Sequence, residues 1–315
     1  MDFRLQIPIK KSNIPIDYTS KIVSIGSCFA VNMAEKLDYF KFQNGCNPFG
    51  IIFNPVSISI LIERAVGRRF FFESDLFFYN DLWHCFEVHS ELSNPNKEAF
   101  LIELNHLVEK MHLELREATH FQITYGTSWV YRFLETDQTV ANCHKVPQKE
   151  FSKEILSIKT IQNAIDTTVC LVQSINPQIK ITFTVSPVRH IKDGYVENTL
   201  SKAHLISAIH EVIKNDAMCS YFPSFEIMMD ELRDYRFYAN DMLHPSDLAI
   251  DFIWQRFQQI TISESVYPVM ETVDAIQKSL KHKPFNQESE SHQKFKIKLQ
   301  DKIDNLASKY PQIQF

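Results

Sequence analysis

The feature that most constrains the fold lies between residues 22 and 37. Ile22-Val23-Ser24-Ile25 is a short apolar run, rich in β-branched residues, that stops at Gly26. The chain then switches at once to helical spacing, with Ala30, Met33, Ala34 and Leu37 at i, i+3, i+4 and i+7. A strand joined to a helix by a tight turn is the opening unit of an open parallel sheet. The alternation recurs, predicting strands near 40–45, 121–125, 179–185 and 220–222 and helices over 56–66, 96–117, 158–175 and 197–215. The aromatic stretch 70–89, broken at Asn80-Asp81, reads as an inserted β-hairpin, and 129–133 with 140–141 reads as a second, turning at Thr136-Asp137. Pro245 is expected at the first position of a further helix through Ile250, Ile253, Trp254 and Phe257. The expected fold is therefore α/β: a three-layer α/β/α domain with a doubly wound, mostly parallel sheet, β-hairpin insertions and a C-terminal helical tail. The catalytic domain is expected over residues 1–262. The extension 263–315 turns charged and lysine-rich through Gln287-Glu288-Ser289-Glu290-Ser291-His292 and is expected to lie outside the catalytic core.

Composition narrows the function classes. Hydrophobic residues make up 44% of the 315 and charged residues 23%, enough apolar surface for a sizeable core. A formal net charge of −5 gives neither the basic footprint of a nucleic-acid partner nor an attraction to an anionic membrane. Only six glycines are present, and neither G-x-G-x-x-G nor G-x-x-x-x-G-K occurs, which removes the usual phosphate-cradling loops. No apolar run approaches membrane-spanning length, and the first eleven residues carry no apolar h-region, so no signal peptide is expected. Cys28, Cys46, Cys85, Cys143, Cys170 and Cys219 are scattered without a C-x-x-C pair, as in a cytoplasmic protein with reduced thiols.

In a doubly wound sheet, ligands bind beyond the carboxyl ends of the strands. Ser27 stands there, between a strand end and a helix start, where free backbone N–H groups can stabilise an oxyanion. A serine at that position is equally a plain helix N-cap. Asp241-Met242-Leu243-His244 falls on another sheet-edge loop, and three residues of separation let the carboxylate reach Nδ1 of the imidazole and leave Nε2 free. His244 as a helix cap and Asp241 as a solvated charge would be the bland alternative, but Ser27 early and D-x-x-H late together form a Ser-His-Asp pattern. Cys28 beside Ser27 is read as a buried, inert thiol whose side chain points away from that of Ser27. Asp81, His84, Cys85, His89, Cys143 and His144 fit no closed zinc spacing and are read as packing, so no metal and no organic cofactor are expected. Arg189 and His190 follow a strand end and are candidates for a substrate carboxylate or carbohydrate hydroxyls, with a structural ion pair the alternative for Arg189.

Gly26-Ser27-Cys28-Phe29-Ala30 spells the GSCFA signature, and the chain resembles the GSCFA domain family, which is grouped with the SGNH (GDSL-like) hydrolases. The resemblance spans roughly residues 20–260. It includes Asn47-Pro48-Phe49-Gly50, Gly126-Thr127-Ser128-Trp129-Val130-Tyr131, Asn142-Cys143-His144-Lys145, Val185-Ser186-Pro187-Val188-Arg189-His190 and Asp241-Met242-Leu243-His244-Pro245. The resemblance implies an SGNH/flavodoxin-like sheet, with Ser27 as nucleophile and Asp241 and His244 as its acid–base partners. It also implies an oxyanion hole at Ser27 and Gly50. The third block of such enzymes reads G-x-N-D, whereas this chain has Gly126-Thr127-Ser128, so Ser128 or Asn142 is the candidate for the missing Asn. Arg189, His190 and His144 are the candidate substrate contacts. The implied activity is hydrolysis of an acyl ester on a small molecule or carbohydrate, such as an O-acetyl group, without nucleic-acid or membrane partners; oligomeric state is open. Two alternatives stay open: an acyltransferase with the same triad, and a non-catalytic glycan- or acyl-binding module. An intact Ser27–His244 hydrogen bond would favour the enzyme, and an occluded Ser27 the binder.

Overall fold

The computed structural model describes residues 5–282, 285–286 and 289–315; residues 1–4 of the N-terminal stretch and Gln287-Glu288 of the tail lie outside the described residues. The chain runs β1 (Lys21–Gly26), α1 (Cys28–Tyr39), β2 (Gln43–Cys46), α2 (Pro55–Gly67), β3 (Phe77–Tyr79), β4 (Leu82–His84), α3 (Lys97–Glu117) and β5 (His120–Tyr125). It continues through β6 (Trp129–Phe133), β7 (Gln138–Val140), β8 (Phe151–Ile155), α4 (Ile158–Ile175), β9 (Lys180–Val185), α5 (Tyr195–Ile213) and β10 (Cys219–Phe222). It ends with a single helical turn α6 (Ser224–Glu226), then α7 (Asp247–Thr261), α8 (Tyr267–Lys281) and α9 (Glu290–Lys309).

Strands β10, β9, β5, β1 and β2 form, in that spatial order, one five-stranded sheet in which every pairing is parallel. Period-two alternation divides its two faces. Val23, Ile25, Phe121, Ile123, Ile181 and Phe183 point into a large apolar core shared with α2, α3, α4 and α5. Ser24, Gln122, Thr124, Thr182 and Thr184 point the other way, under Phe29 and Met33 of α1 and Phe257 of α7. Helices on both faces of a parallel sheet make the three layers, as the alternating pattern predicts. The starts of the helices follow from their caps: the side chains of Asn54, Asn96, Ser157 and Ser246 each accept a first-turn backbone N–H, satisfying an otherwise orphan donor.

Three details differ from the sequence expectation. Pro245 lies outside the last helix of the sheet domain; Ser246 is its N-cap, and Pro245 instead bridges antiparallel to Tyr238. The second insertion is a three-stranded antiparallel sheet, order β7-β6-β8, because the half-buried run Phe151–Ile155 adds a strand beyond the expected hairpin. The tail is built into the protein: Met270, Val273, Ile276, Leu306 and Ile313 bury against Tyr18, Phe42 and Trp254. Polar bonds reinforce that seat, from Tyr39 Oη to Asp274 (2.8 Å) and from Gln312 Nε2 to the Tyr18 carbonyl (2.9 Å). Among the described residues no helix is long and apolar enough to cross a membrane.

Candidate functional site

The carboxyl ends of β1, β5 and β9 are sewn together by backbone. Gly26 adopts φ +142°, and a Cβ there would sit 2.2 Å from the Thr124 carbonyl oxygen of β5, so only glycine lets the two strands approach. Its N–H donates to Asn47 Oδ1 at 2.7 Å, tying the loop after β2 to the end of β1. The next residue, Ser27, donates its N–H to the Thr124 carbonyl (3.1 Å) and caps α1, its Oγ accepting the Phe29 N–H at 3.3 Å. Ser27 is 1% exposed. Position and cap therefore coincide: the serine stands where the pattern places a nucleophile, and it is closed.

The other half lies on the loop before α7. Its backbone is pinned by Ala239 N–H to the His244 carbonyl (2.8 Å) and Ser246 N–H to the Phe237 carbonyl (2.8 Å). Asp241 Oδ1 accepts the N–H groups of Leu243 (2.9 Å) and His244 (3.0 Å), and Oδ2 accepts from His244 Nδ1 at 2.6 Å. The two backbone donors and then the imidazole hold the Asp241 carboxyl down at about 2. With Nδ1 committed as donor, Nε2 is the free basic nitrogen, and it has no partner among the described residues on a side chain 49% exposed. No hydrogen bond joins His244 to Ser27.

The segment after β9 connects these halves. Arg189 N–H donates to the Leu243 carbonyl (3.1 Å), docking the D-x-x-H loop on the sheet edge. His190 stacks on Phe53 at 5.7 Å, with its Nε2 buried and without a partner among the described residues. Burial, aided by the Lys202 and His244 charges, pushes its imidazole down to about 3, so it is neutral.

A family model described as "GSCFA family" matches residues 21–257, and one described as "GSCFA domain protein, C-terminal domain" matches 273–315. The chain belongs to the GSCFA family. The curated proteins contain no match.

In this GSCFA chain the candidate oxyanion donors fare unequally. The Gly50 N–H closes a turn on the Asn47 carbonyl (2.8 Å), and the Ser27 N–H is held by Thr124, so neither points a free donor. Ser128 is corrected as well. It is fully buried, its N–H donates to Ser201 Oγ (2.8 Å) and its hydroxyl to the Ser201 carbonyl (3.2 Å), because α5 packs directly behind it. Asn142 accepts the His144 N–H on Oδ1 (2.8 Å), keeps Nδ2 without a partner among the described residues, and lines a cavity of about 300 Å³ with Phe53, Thr127, Trp129 and His190. His144 does not reach that cavity. It is buried in the aromatic cluster of the insertions, Nε2 bonded to the Cys85 carbonyl (2.7 Å), and burial pushes it down to about 4. Among the described residues no three His, Cys, Asp or Glu side chains are grouped to hold a metal ion.

Lys202 was not singled out by sequence. It is 1% exposed and donates to the carbonyls of Gly126 (2.6 Å) and Ser186 (2.8 Å), the residues that follow β5 and β9. Burial pushes its ammonium down to about 7. A signal was present: Asn198, Lys202, Leu205, Ile209 and Val212 share the buried face of α5, where a lysine is out of place unless it has a task.

Proposed function

We propose that this protein is a serine hydrolase of the SGNH type, acting in the cytoplasm on an acyl ester, with an O-acetylated carbohydrate as the first substrate to try. The observation that carries the reading is the 2.6 Å Asp241–His244 contact, which fixes the tautomer and leaves Nε2 open. Six free cysteines are consistent with a reducing compartment. In the reaction Ser27 Oγ forms a bond to the acyl carbon while Nε2 takes the hydroxyl proton. The ester C–O bond breaks and that proton passes to the departing alcohol. Water then attacks the acyl-enzyme, its proton going to Nε2 and returning to Ser27 as the acid leaves. Both steps require Ser27 to rotate off the Phe29 N–H. That rotation would free a donor at the N-terminus of α1, which, with Asn142, is the best remaining source of oxyanion stabilisation.

A second reading, a glycan- or acyl-binding module without turnover, is favoured by one observation, the burial of Ser27. A fluorophosphonate probe separates the two. The hydrolase reading expects a covalent adduct on Ser27 by peptide mass spectrometry, weakened in Asp241→Asn. Complete absence of the adduct in native protein would leave only the binder.

A further inference from the structure

Beside the D-x-x-H loop lies an open cavity of about 570 Å³, lined by Arg189, which the sequence offers for a substrate carboxylate or carbohydrate hydroxyls. Its wall is mostly apolar and aromatic, with Tyr195, Met228, Met229, Leu232 and Tyr235. Four charged side chains line it. Arg233 pairs with Asp230 (2.9 Å), Asp234 with Arg236 (2.8 Å) and Asp241 with His244 (2.6 Å). Arg189, the fourth, has no acidic partner among the described residues. Its Nη1 touches Met229 Sδ at 3.8 Å, and its Nε is buried with no acceptor among the described residues. A guanidinium is a permanent cation with five donors in a planar fork. Burying one of those donors, Nε, without an acceptor is costly, and a planar carboxylate is the group whose two oxygens match that fork.

We propose that Arg189 is a recognition residue for a carboxylate, and that this cleft takes a small monocarboxylate with an apolar or aromatic body. Arg233 and Asp234 are paired with Asp230 and Arg236, and the Asp241 carboxylate is bonded to an imidazole that the hydrolase reading keeps neutral, so one guanidinium and one carboxylate are left in the lining, a balance that favours a monoanion over a phosphate dianion. The backbone of the same residue holds the Leu243 carbonyl, so an occupied fork sits on the segment that docks the His244 loop. That the carboxylate belongs to the substrate, making it an ester that also carries a free acid group, rests on the hydrolase reading; the binding does not.

The test uses the full chain with Ser27→Ala, so that no turnover intervenes, titrated calorimetrically with 3-phenylpropanoate, 3-phenylpropanamide and 2-phenylethyl phosphate. The acid should bind about tenfold or more tightly than the amide. Arg189→Met should erase that preference, and Arg189→Lys should keep part of it. Should Arg189→Met fail to fold, phenylglyoxal modification of Arg189 in native protein, read by mass spectrometry, should be blocked by the acid and not by the amide. Equal binding of acid and amide, no binding of either, or a preference that survives Arg189→Met would overturn the proposal, and so would tighter binding of the phosphate. Acid-selective binding without Ser27 labelling would refute the hydrolase reading alone. Ser27 labelling without acid selectivity would refute this proposal alone.

Discussion

The two halves of the site are built by opposite means. Asp241 and His244 are three residues apart, and their geometry comes from a local turn in which one carboxylate collects two backbone N–H groups and an imidazole. The pair is half-exposed and ready. Ser27 is fixed by long-range structure, with its N–H on β5 and its preceding glycine bonded to Asn47, and it is closed. A local constellation can be complete in an unliganded protein, whereas a group embedded at a sheet edge is completed only by movement. Under the hydrolase reading the missing bond is the one that joins the local half to the long-range half, and catalytic hydrogen bonds are often loose before substrate arrives.

The largest effect should come from the closed half. Ser27→Ala should cut turnover of p-nitrophenyl acetate by about 10⁴-fold or more, because a triad acts as a unit, while circular dichroism stays unchanged. Turnover equal to wild type would remove Ser27 from the chemistry.

Asp241→Asn breaks the open half. Turnover should fall by about 10²- to 10⁴-fold, since an amide can hold the imidazole in the wrong tautomer. The same variant carries a pH signature. The carboxyl is held at about 2, below the usual 3.8, so its contribution to stability is complete above about pH 4 and is lost as pH falls through about 2. The difference in unfolding free energy between wild type and Asp241→Asn should be flat from pH 7 to 5 and shrink between 4 and 2. A difference that vanished already at pH 6 would mean that the carboxylate bonds do not form in solution.

The same local-versus-distant contrast explains what could be read from sequence. Strand, glycine and helix at 22–37 declare the sheet, and Asp241 and His244 declare each other, because both signals are confined to a few neighbouring residues. The commitment of Ser128 was not legible, because its N–H and hydroxyl are spent on Ser201, a contact that depends on how α5 folds back, whereas Gly50 is spent on a local turn with Asn47. The Arg189 cleft was half legible. The arginine stood out after β9, but most of the Met and Tyr residues that wall the cavity come from 228–238, a stretch without clear periodicity that holds the π-helical turn Ile227–Glu231.

Lys202 sits between the halves, bonded to the carbonyls after β5 and β9. Lys202→Met should destabilise the protein by about 2 kcal/mol at pH 7, because two buried acceptors lose their donor. The pH trend has a definite sign. The folded ammonium titrates at about 7 and the unfolded one near 10.5, so over that interval the unfolded chain binds the extra proton and wild-type stability rises with pH. The gap between wild type and Lys202→Met should therefore widen from pH 7 to pH 9 in urea unfolding. A gap that stayed flat would show that the amine is solvated, and one that narrowed that the two carbonyls hold it charged.

The smallest effect should be at Cys28, and it tests whether the closed half holds one nucleophile or two. Cys28 is the first residue of α1, next to Ser27 and within electrostatic reach of Lys202. A helix N-terminus and a nearby cation both favour a thiolate, and alone they would make a reactive cysteine. Burial works against them and is the larger influence, so the thiol is pushed up rather than down. Cys28→Ala should then keep turnover within about threefold and cost about 1 kcal/mol of packing. Iodoacetamide supplies the sharper measurement, because exposed Cys170 is an internal standard on the same chain. At pH 8 Cys170 should alkylate first, with activity retained, and Cys28 only slowly. If Cys28 instead reacts faster than Cys170 and activity falls in step, the sheet edge holds a thiolate, and the attacking atom beside His244 is sulfur rather than the Ser27 oxygen.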